Sequence, residues 1–540
     1  MGGTIPFVAD LVNPDSIALQ LIYVIVLTAK IPYDFHFYFN VIEVYMVRQR
    51  KSGVLLHPSS LPGAGGIGSF GEEARRFVDF LHKSGQSLWQ ILPLGPTAYG
   101  NSPYSCYSAF AGNPLLVNLE AVQDDGDLLP QENRPDLSTD RIDFPTVEEY
   151  KLGRLRDAAA RFFAEAPQKR KEEFWQFCDG TFWLHDFALF MALKEEFKGV
   201  SWKDWPDALA SREPAALSFW SEKLGTAIGE QKYQQWQFAR QWKKLKSYAN
   251  VLGISVVGDL PIFVAYDSAD VWANPHLFHL DEKGVPIVVA GVPPDYFSKT
   301  GQLWGNPLYN WEQMAQEGYG WWIARLRNDL CLYDMVRIDH FRGFEAFWEV
   351  PMWEKTAING RWVKGPGEAL FHALRNALGN LPIIAEDLGI ITPEVESLRE
   401  QFGFPGMKIL QFAFGSGPEN PYLPHNHVRS CVVYTGTHDN DTTAGWFDTL
   451  KTKEQKNVLA YFDRDGGDIV WQMVKCALAS VADYAIIPMQ DLLELPSNGR
   501  MNVPGVAGGN WSWRCPTDAF SGRLAAKLAR ATELYGRLPD

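Results

Sequence analysis

The chain has 540 residues and a formal net charge of −14, with 50 Lys and Arg against 64 Asp and Glu. That length accommodates two ordinary domains or one large barrel with insertions. The acidity, with a pI near 5.4, argues against a nucleic acid or a membrane as partner, because either anionic surface calls for clustered Lys and Arg.

Aromatic residues make up 14% of the chain, including 20 Trp, and their flat apolar faces suit stacking on sugar rings as well as core packing. Six cysteines are scattered without a CxxC or a short paired spacing, which points to a reducing, cytoplasmic compartment. Residues 1–45 differ from the rest. The apolar run from Ile17 to Ala29 is shorter than the roughly 20 residues that span a bilayer. Its first cation, Lys30, follows two Asp, unlike a secretory signal, and the segment lacks the Ser and Arg of a transit peptide. Residues 1–45 are therefore expected to be an extension outside the fold, with Met46 the natural start of a 46–540 catalytic unit.

From Ser52 the pattern becomes strand, loop and helix. Gly53-Val54-Leu55-Leu56 is a short buried strand, and apolar residues recur at helical spacing from Gly71 to Leu81. Gly63, Gly65 and Gly68 between them match GxGxxG. His57 to Ser60 separate that motif from the strand, however, and the next strand, ending Gln90-Ile91-Leu92-Pro93-Leu94, lacks the acid that holds a ribose. No dinucleotide cofactor is expected. The loop from Thr97 to Pro114 sets Tyr99, Tyr104 and Tyr107 among Gly, Ser, Asn and Pro, where tyrosines either contact a ligand or plug a barrel end.

Residues 120–250 read as an inserted run of amphipathic helices, with a capping box at Thr146 to Glu149 and helices over 183–197 and 233–252. A third buried strand, Gly253 to Ile262, carries Asp259 at its C-terminal end. Residues 265–330 form a second insertion, with long loops over 290–298 and 301–307 of the kind used as lids or binding loops. In the fourth strand, Met335 to Asp339, Arg337 and Asp339 are two residues apart and share one face, so the guanidinium holds the carboxylate ionised and oriented. The remaining strands are Leu381 to Gly389, Met407 to Phe412, Val432 to Asp441 and Tyr484 to Met489. Eight such runs separated by helical patterns predict a (β/α)8 TIM barrel, an α/β fold closed by a helix from Leu524 to Tyr535.

Acids end the third, fourth, fifth and seventh of these strands: Asp259, Asp339, Glu386 beside Asp387, and Asp439. All C-terminal strand ends of such a barrel meet on one face. Ionised groups are rarely buried unpaired, so the four form either a solvated acidic rim or a working cluster. The pairs His276/His279 and His425/His427 lack the Cys or Glu partners of a zinc site, and no EF-hand loop is present, so no metal is expected. Glycosyl transfer needs one carboxylate to attack, one protonated carboxyl to donate, and negative charge near an oxocarbenium-like transition state. On the residues alone, either Glu386 or Asp387 fills the second role.

Val336-Arg337-Ile338-Asp339-His340, Ala385-Glu386-Asp387-Leu388-Gly389 and Gly436-Thr437-His438-Asp439-Asn440 resemble motifs of the α-amylase clan. Leu56-His57-Pro58-Ser59-Ser60-Leu61-Pro62-Gly63, Asn101-Ser102-Pro103-Tyr104, Ser108 to Pro114 and Gly301-Gln302-Leu303-Trp304-Gly305-Asn306-Pro307 resemble glycoside hydrolase family 77, the amylomaltases or 4-α-glucanotransferases. The resemblance runs from about Ser52 to the C-terminus. It implies Asp339 as nucleophile, Glu386 as general acid and base, and Asp439 as stabiliser. Arg337 then orients Asp339, His438 and Tyr104 hold the donor sugar, Asp259 supports that subsite, and His340 faces the acceptor. Tyr99, Ser102, Asp295 and Trp304 belong to loops lining the glucan groove.

The implied reaction is retaining transfer of an α-1,4-glucan segment, from maltooligosaccharides, amylose, starch or glycogen, to the 4-hydroxyl of glucose or a glucan, without a cofactor. Retention places the two reacting carboxyls about 5 to 5.5 Å apart. An α-glucan hydrolase of the same clan shares every one of these residues, whereas an idle glucan-binding protein needs no acid/base pair. After the eighth strand about fifty residues follow, fewer than the roughly 100 of a C-terminal β-sandwich domain.

Overall fold

The computed structural model describes residues 49–131, 135–294, 298–463, 468–506 and 508–539. The expected extension, 1–45, and Asp295 lie outside them. Eight short strands, buried on both faces, carry the architecture: β1 (Lys51–Leu55), β2 (Leu88–Gln90), β3 (Ser255–Pro261), β6 (Met335–Asp339), β9 (Ile383–Ala385), β10 (Gly406–Ile409), β11 (Cys431–Tyr434) and β12 (Tyr484–Pro488). They pair in parallel in the order β10-β11-β12-β1-β2-β3-β6-β9. The Ala385 N–H donates to Pro405 O at 2.9 Å, which joins β9 to the segment entering β10 and completes the ring.

All eight are the predicted barrel strands, because continuous runs of Val, Ile and Leu bounded by loop residues are what parallel strands covered on both faces require. The helices between β2 and β3, among them Phe144–Glu165, Leu184–Glu196 and Gly225–Val251, form the large helical insertion. Helix Gly522–Leu534 follows β12. Among the described residues, no helix is long and apolar enough to cross a membrane.

Two local readings are corrected. The helix expected to start at Thr146 starts at Phe144, with Asp143 at its N-cap position and Pro145 in the first turn, where a missing N–H costs nothing. Thr146 accordingly lies inside the helix and its hydroxyl donates to Asp143 Oδ2 at 2.6 Å. Of the loops expected over 290–298 and 301–307, residues 290–292 belong to strand β4 (Val288–Val292) and residues 302–307 are strand β5 (Gln302–Pro307). With β7 (Ala346–Pro351) and β8 (Arg361–Lys364) they form an antiparallel sheet of order β5-β4-β7-β8. The glycines and prolines there read as loop punctuation, yet Gly291 is where the strands approach too closely for a side chain. A Cβ at that position would sit 2.5 Å from Gln302 O.

Ladder register sets the site. β3 and β6 pair Asp259 with Arg337 and Pro261 with Asp339, while β6 and β9 pair Ile338 with Ala385. Asp339 and Glu386, each one residue beyond the paired Ile338 and Ala385, therefore leave neighbouring strands at the same level, with strand axes about 4.8 Å apart.

Candidate active site

Arg337 projects from the middle of β6 with its side chain only 5% exposed, and it spans two carboxylates. Nη1 donates to both oxygens of Asp259, at 2.8 and 2.7 Å, and Nη2 donates to Asp339 Oδ1 at 2.8 Å. The Asp259 side chain is wholly buried, whereas that of Asp339 is 33% exposed. One acid thus anchors the guanidinium from behind, and the guanidinium presents the other to the open end of the barrel. Burial pushes the Asp259 carboxyl up to about 6 against the pull of Arg337, and the two carboxylates hold the guanidinium charged well above its ordinary range.

Glu386 stands level with Asp339, at the end of the neighbouring strand, in a different environment. His340 N–H donates to its Oε2 at 2.6 Å and Leu388 N–H to its Oε1 at 2.8 Å. No Lys or Arg among the described residues pairs with it. Burial, and then the negative charge of Asp339, push its carboxyl up to about 8, so it holds a proton at neutral pH. The turn that delivers the His340 N–H is left-handed, with φ +54° at His340, a conformation uncommon for a side-chain-bearing residue and typical of functional sites. Burial lowers the His340 imidazole to about 4, so it is neutral, and its Nε2 is buried without a hydrogen-bond partner among the described residues.

Asp387, indistinguishable from Glu386 in sequence, faces away. Its Oδ1 accepts the Met407 N–H at 2.7 Å, and its Oδ2 lies 3.4 Å from Arg399 Nε. Gly406 makes room for this, since a Cβ there would lie 2.2 Å from Asp387 Oδ2. The geometry therefore separates a carboxyl that ties β9 to β10 from one that faces Asp339.

Asp439 lies beyond β11 on a loop pinned at both ends by buried Asp491, which accepts from the Thr435 hydroxyl at 2.5 Å and the Thr443 N–H at 2.7 Å. The Asp439 side chain is 48% exposed, with Oδ1 held by Asn502 Nδ2 at 2.6 Å and 3.4 Å from His438 Nε2. Arg500 Nη2 donates to its backbone oxygen at 2.6 Å. Tyr104 stacks on the His438 ring at 5.1 Å and 18°, and its hydroxyl donates to Asp259 Oδ2 at 2.8 Å. Arg337, Asp259, Tyr104, His438 and Asp439 thus form one connected wall.

The loop residues fare unevenly. Trp304 lies on β5, 38% exposed, with its ring edge-on to His340 at 4.8 Å and 84°. Ser102 Oγ accepts the Tyr104 N–H at 3.2 Å, which shapes the loop under the tyrosine. Tyr99 is 79% exposed on the turn Tyr99–Asn101, without a ring contact to these groups. Asn502, Arg500 and Trp511, whose ring lies 5.9 Å from both Tyr104 and His438, went unread in the sequence. Gly508-Gly509-Asn510-Trp511-Ser512-Trp513 repeats the small-polar-plus-aromatic composition that drew notice at Thr97 to Pro114, and that signal was available.

The candidate metal histidines are engaged elsewhere: His276 lies 3.4 Å from Glu317, and His427 contacts Ser480 Oγ and Tyr422 O. Among the described residues no group of three or more His, Cys, Asp or Glu is disposed to hold a metal ion.

Comparison with known proteins agrees with this geometry. The model of the 4-alpha-glucanotransferase family, glycoside hydrolase family 77, matches residues 56–519. A 4-alpha-glucanotransferase of Synechocystis sp. is 51% identical over 501 residues, covering 91% of this chain and 99% of its own. A chloroplastic/amyloplastic 4-alpha-glucanotransferase of Solanum tuberosum is 48% identical over 505 residues, covering 91% and 87%. The structure of amylomaltase from Streptococcus agalactiae in complex with acarbose superposes with a TM-score of 0.87 at 39% identity, over 91% of this chain and all of that one.

Proposed function

The chain belongs to glycoside hydrolase family 77, the 4-α-glucanotransferases, and we propose that it performs the family's transfer with Asp339 as nucleophile and Glu386 as acid and base. It is a 4-α-glucanotransferase acting on α-1,4-glucans. The observation that carries the assignment of roles is the contrast between two neighbouring strand ends: Asp339 is hydrogen-bonded to a guanidinium, while Glu386 has only two backbone N–H donors among the described residues and keeps its proton.

In the first step Glu386 gives that proton to the glycosidic oxygen as Asp339 attacks the anomeric carbon, and a glucosyl ester forms with inversion. Esterification removes the Asp339 charge, the second-largest cause of the raised Glu386 affinity for a proton, so the carboxyl becomes a more readily ionised group in the intermediate. As a base it then takes the proton of an acceptor 4-hydroxyl, and a second inversion restores the α configuration. Asp439, held by Asn502, supplies hydrogen bonds to sugar hydroxyls and negative charge near the oxocarbenium-like centre. Tyr104 stacks on the donor sugar, His438 and Asp259 complete that subsite, and His340 with Trp304 lines the acceptor side. Tyr99 and Ser102 belong to the loop bordering the groove, which favours an acceptor sugar over water.

Donors are maltooligosaccharides, amylose, starch or glycogen, and acceptors are glucose or shorter glucans. Six unpaired cysteines fit a cytoplasmic location. Product analysis with maltotriose tests the reading: glucose and longer oligosaccharides should accumulate at constant total reducing ends. A rise in reducing ends matching substrate loss identifies a hydrolase instead.

A further inference from the structure

A few residues past Tyr104, Phe110 enters a pocket of about 100 Å³ that none of the catalytic carboxylates lines. The helical insertion contributes Phe182, Trp183 and Asp186, the segment after β3 contributes Asp270, and the helix Gly320–Leu332 contributes Trp321. Phe110 is the hub, edge-on to Phe182 at 5.3 Å and 83°, edge-on to Trp321 at 5.8 Å and 88°, and stacked on Trp183 at 6.4 Å and 24°. Three of its features are unsatisfied or unusual. Phe182 is 70% exposed at the rim. The Trp321 indole N–H is buried with no acceptor among the described residues. Asp186, joined to Arg212 through Oδ1 at 2.8 Å, and buried Asp270, taking the Ala109 N–H on Oδ2 at 2.8 Å, line the same space.

The chemistry of the walls selects the occupant. A purely apolar ligand would leave the indole donor unmatched and bury carboxylates against carbon. A cation would suit the rings and acids but offers no lone pair to the indole, and an anion would be repelled by two carboxylates. A sugar edge satisfies all three, because a hydroxyl accepts from Trp321 while donating to a carboxylate, and the C–H face lies against an aromatic ring. A volume of about 100 Å³ holds several waters, room for the hydroxyl-bearing edge of one ring and so for a chain end.

We infer that this pocket is a second glucan-binding site that seats a terminal glucosyl unit away from the catalytic carboxylates. The inference rests on the α-1,4-glucan reading above and adds to it a means of holding branched or polymeric substrate, which presents many chain ends, near the barrel mouth.

Phe182→Ala, at an exposed position, and Trp321→Phe, which keeps an aromatic ring and removes the indole N–H together with its five-membered ring, test it. Retardation in native gels containing glycogen gives an apparent Kd, and maltotriose turnover gives an independent reading of the catalytic centre. Each variant should weaken glycogen binding by about threefold or more while leaving kcat/KM on maltotriose within about twofold. Unchanged retardation in both variants overturns the inference. So does a parallel fall in retardation and maltotriose turnover, which would place these side chains in the catalytic groove or the folding core. Failure of the unaltered protein to transfer from maltotriose would overturn the family reading instead, and the two failures are distinct.

Discussion

On the β3–β6 side of the hollow a buried guanidinium bridges one anchoring and one presented carboxylate, whereas on the neighbouring β9 side a single carboxyl is met only by backbone N–H groups. The two sides are one strand apart and made of the same kind of acid. Their chemistry diverges because a charge needs a counter-charge to stay ionised in a dry place, and only one side has it. The comparison teaches that the division of labour resides in what backs each acid.

Removing the presented acid breaks the comparison most severely. Asp339→Asn should lower kcat for maltotriose transfer by about 10⁴-fold or more, read by oligosaccharide release, because no other carboxylate can form the ester. Glu386→Gln should lower it by about 10³-fold. In the unaltered protein the donor must be protonated, so transfer should decline as pH rises through about 8, and that limb should vanish in Glu386→Gln. In Asp339→Asn the Glu386 carboxyl should titrate at lower pH, since a like charge has gone, a shift readable by carboxyl NMR.

Arg337→Met attacks the other side through its support. It strands the wholly buried Asp259, so unfolding stability should fall by about 3 to 5 kcal/mol by denaturant titration, with partial recovery when Asp259→Asn is added. The smallest effect belongs to Asn502→Ala. It leaves Asp439 without its 2.6 Å partner and should reduce kcat about tenfold, with KM for maltotriose changing less.

The barrel was legible because its eight strands are unbroken apolar runs, and the acids at their ends stand out against that background. The Arg337–Asp339 pair was legible for the same reason, as two charges on one face of a strand. Glu386 and Asp387 were not separable, because adjacent acids differ only in which way the chain turns, and that depends on Met407 N–H and Arg399, about twenty and twelve residues on. The antiparallel sheet over 288–364 was hidden because its glycines serve close strand approach, which in sequence looks the same as a turn. Asn502 and Trp511 were hidden by their distance from any strand end, although the latter sits in a loop of recognisable composition.

The most direct test of the central claim is to incubate Glu386→Gln with an α-maltosyl fluoride, whose leaving group departs without a proton, and to digest and weigh the peptides. The peptide containing Asp339 should carry a maltosyl ester that persists when an acceptor sugar is added, since the variant lacks the base, and that is released by azide, an anionic nucleophile that needs none. A stable adduct on Glu386, Asp387 or Asp439, or fluoride release with no peptide modified, would contradict the account.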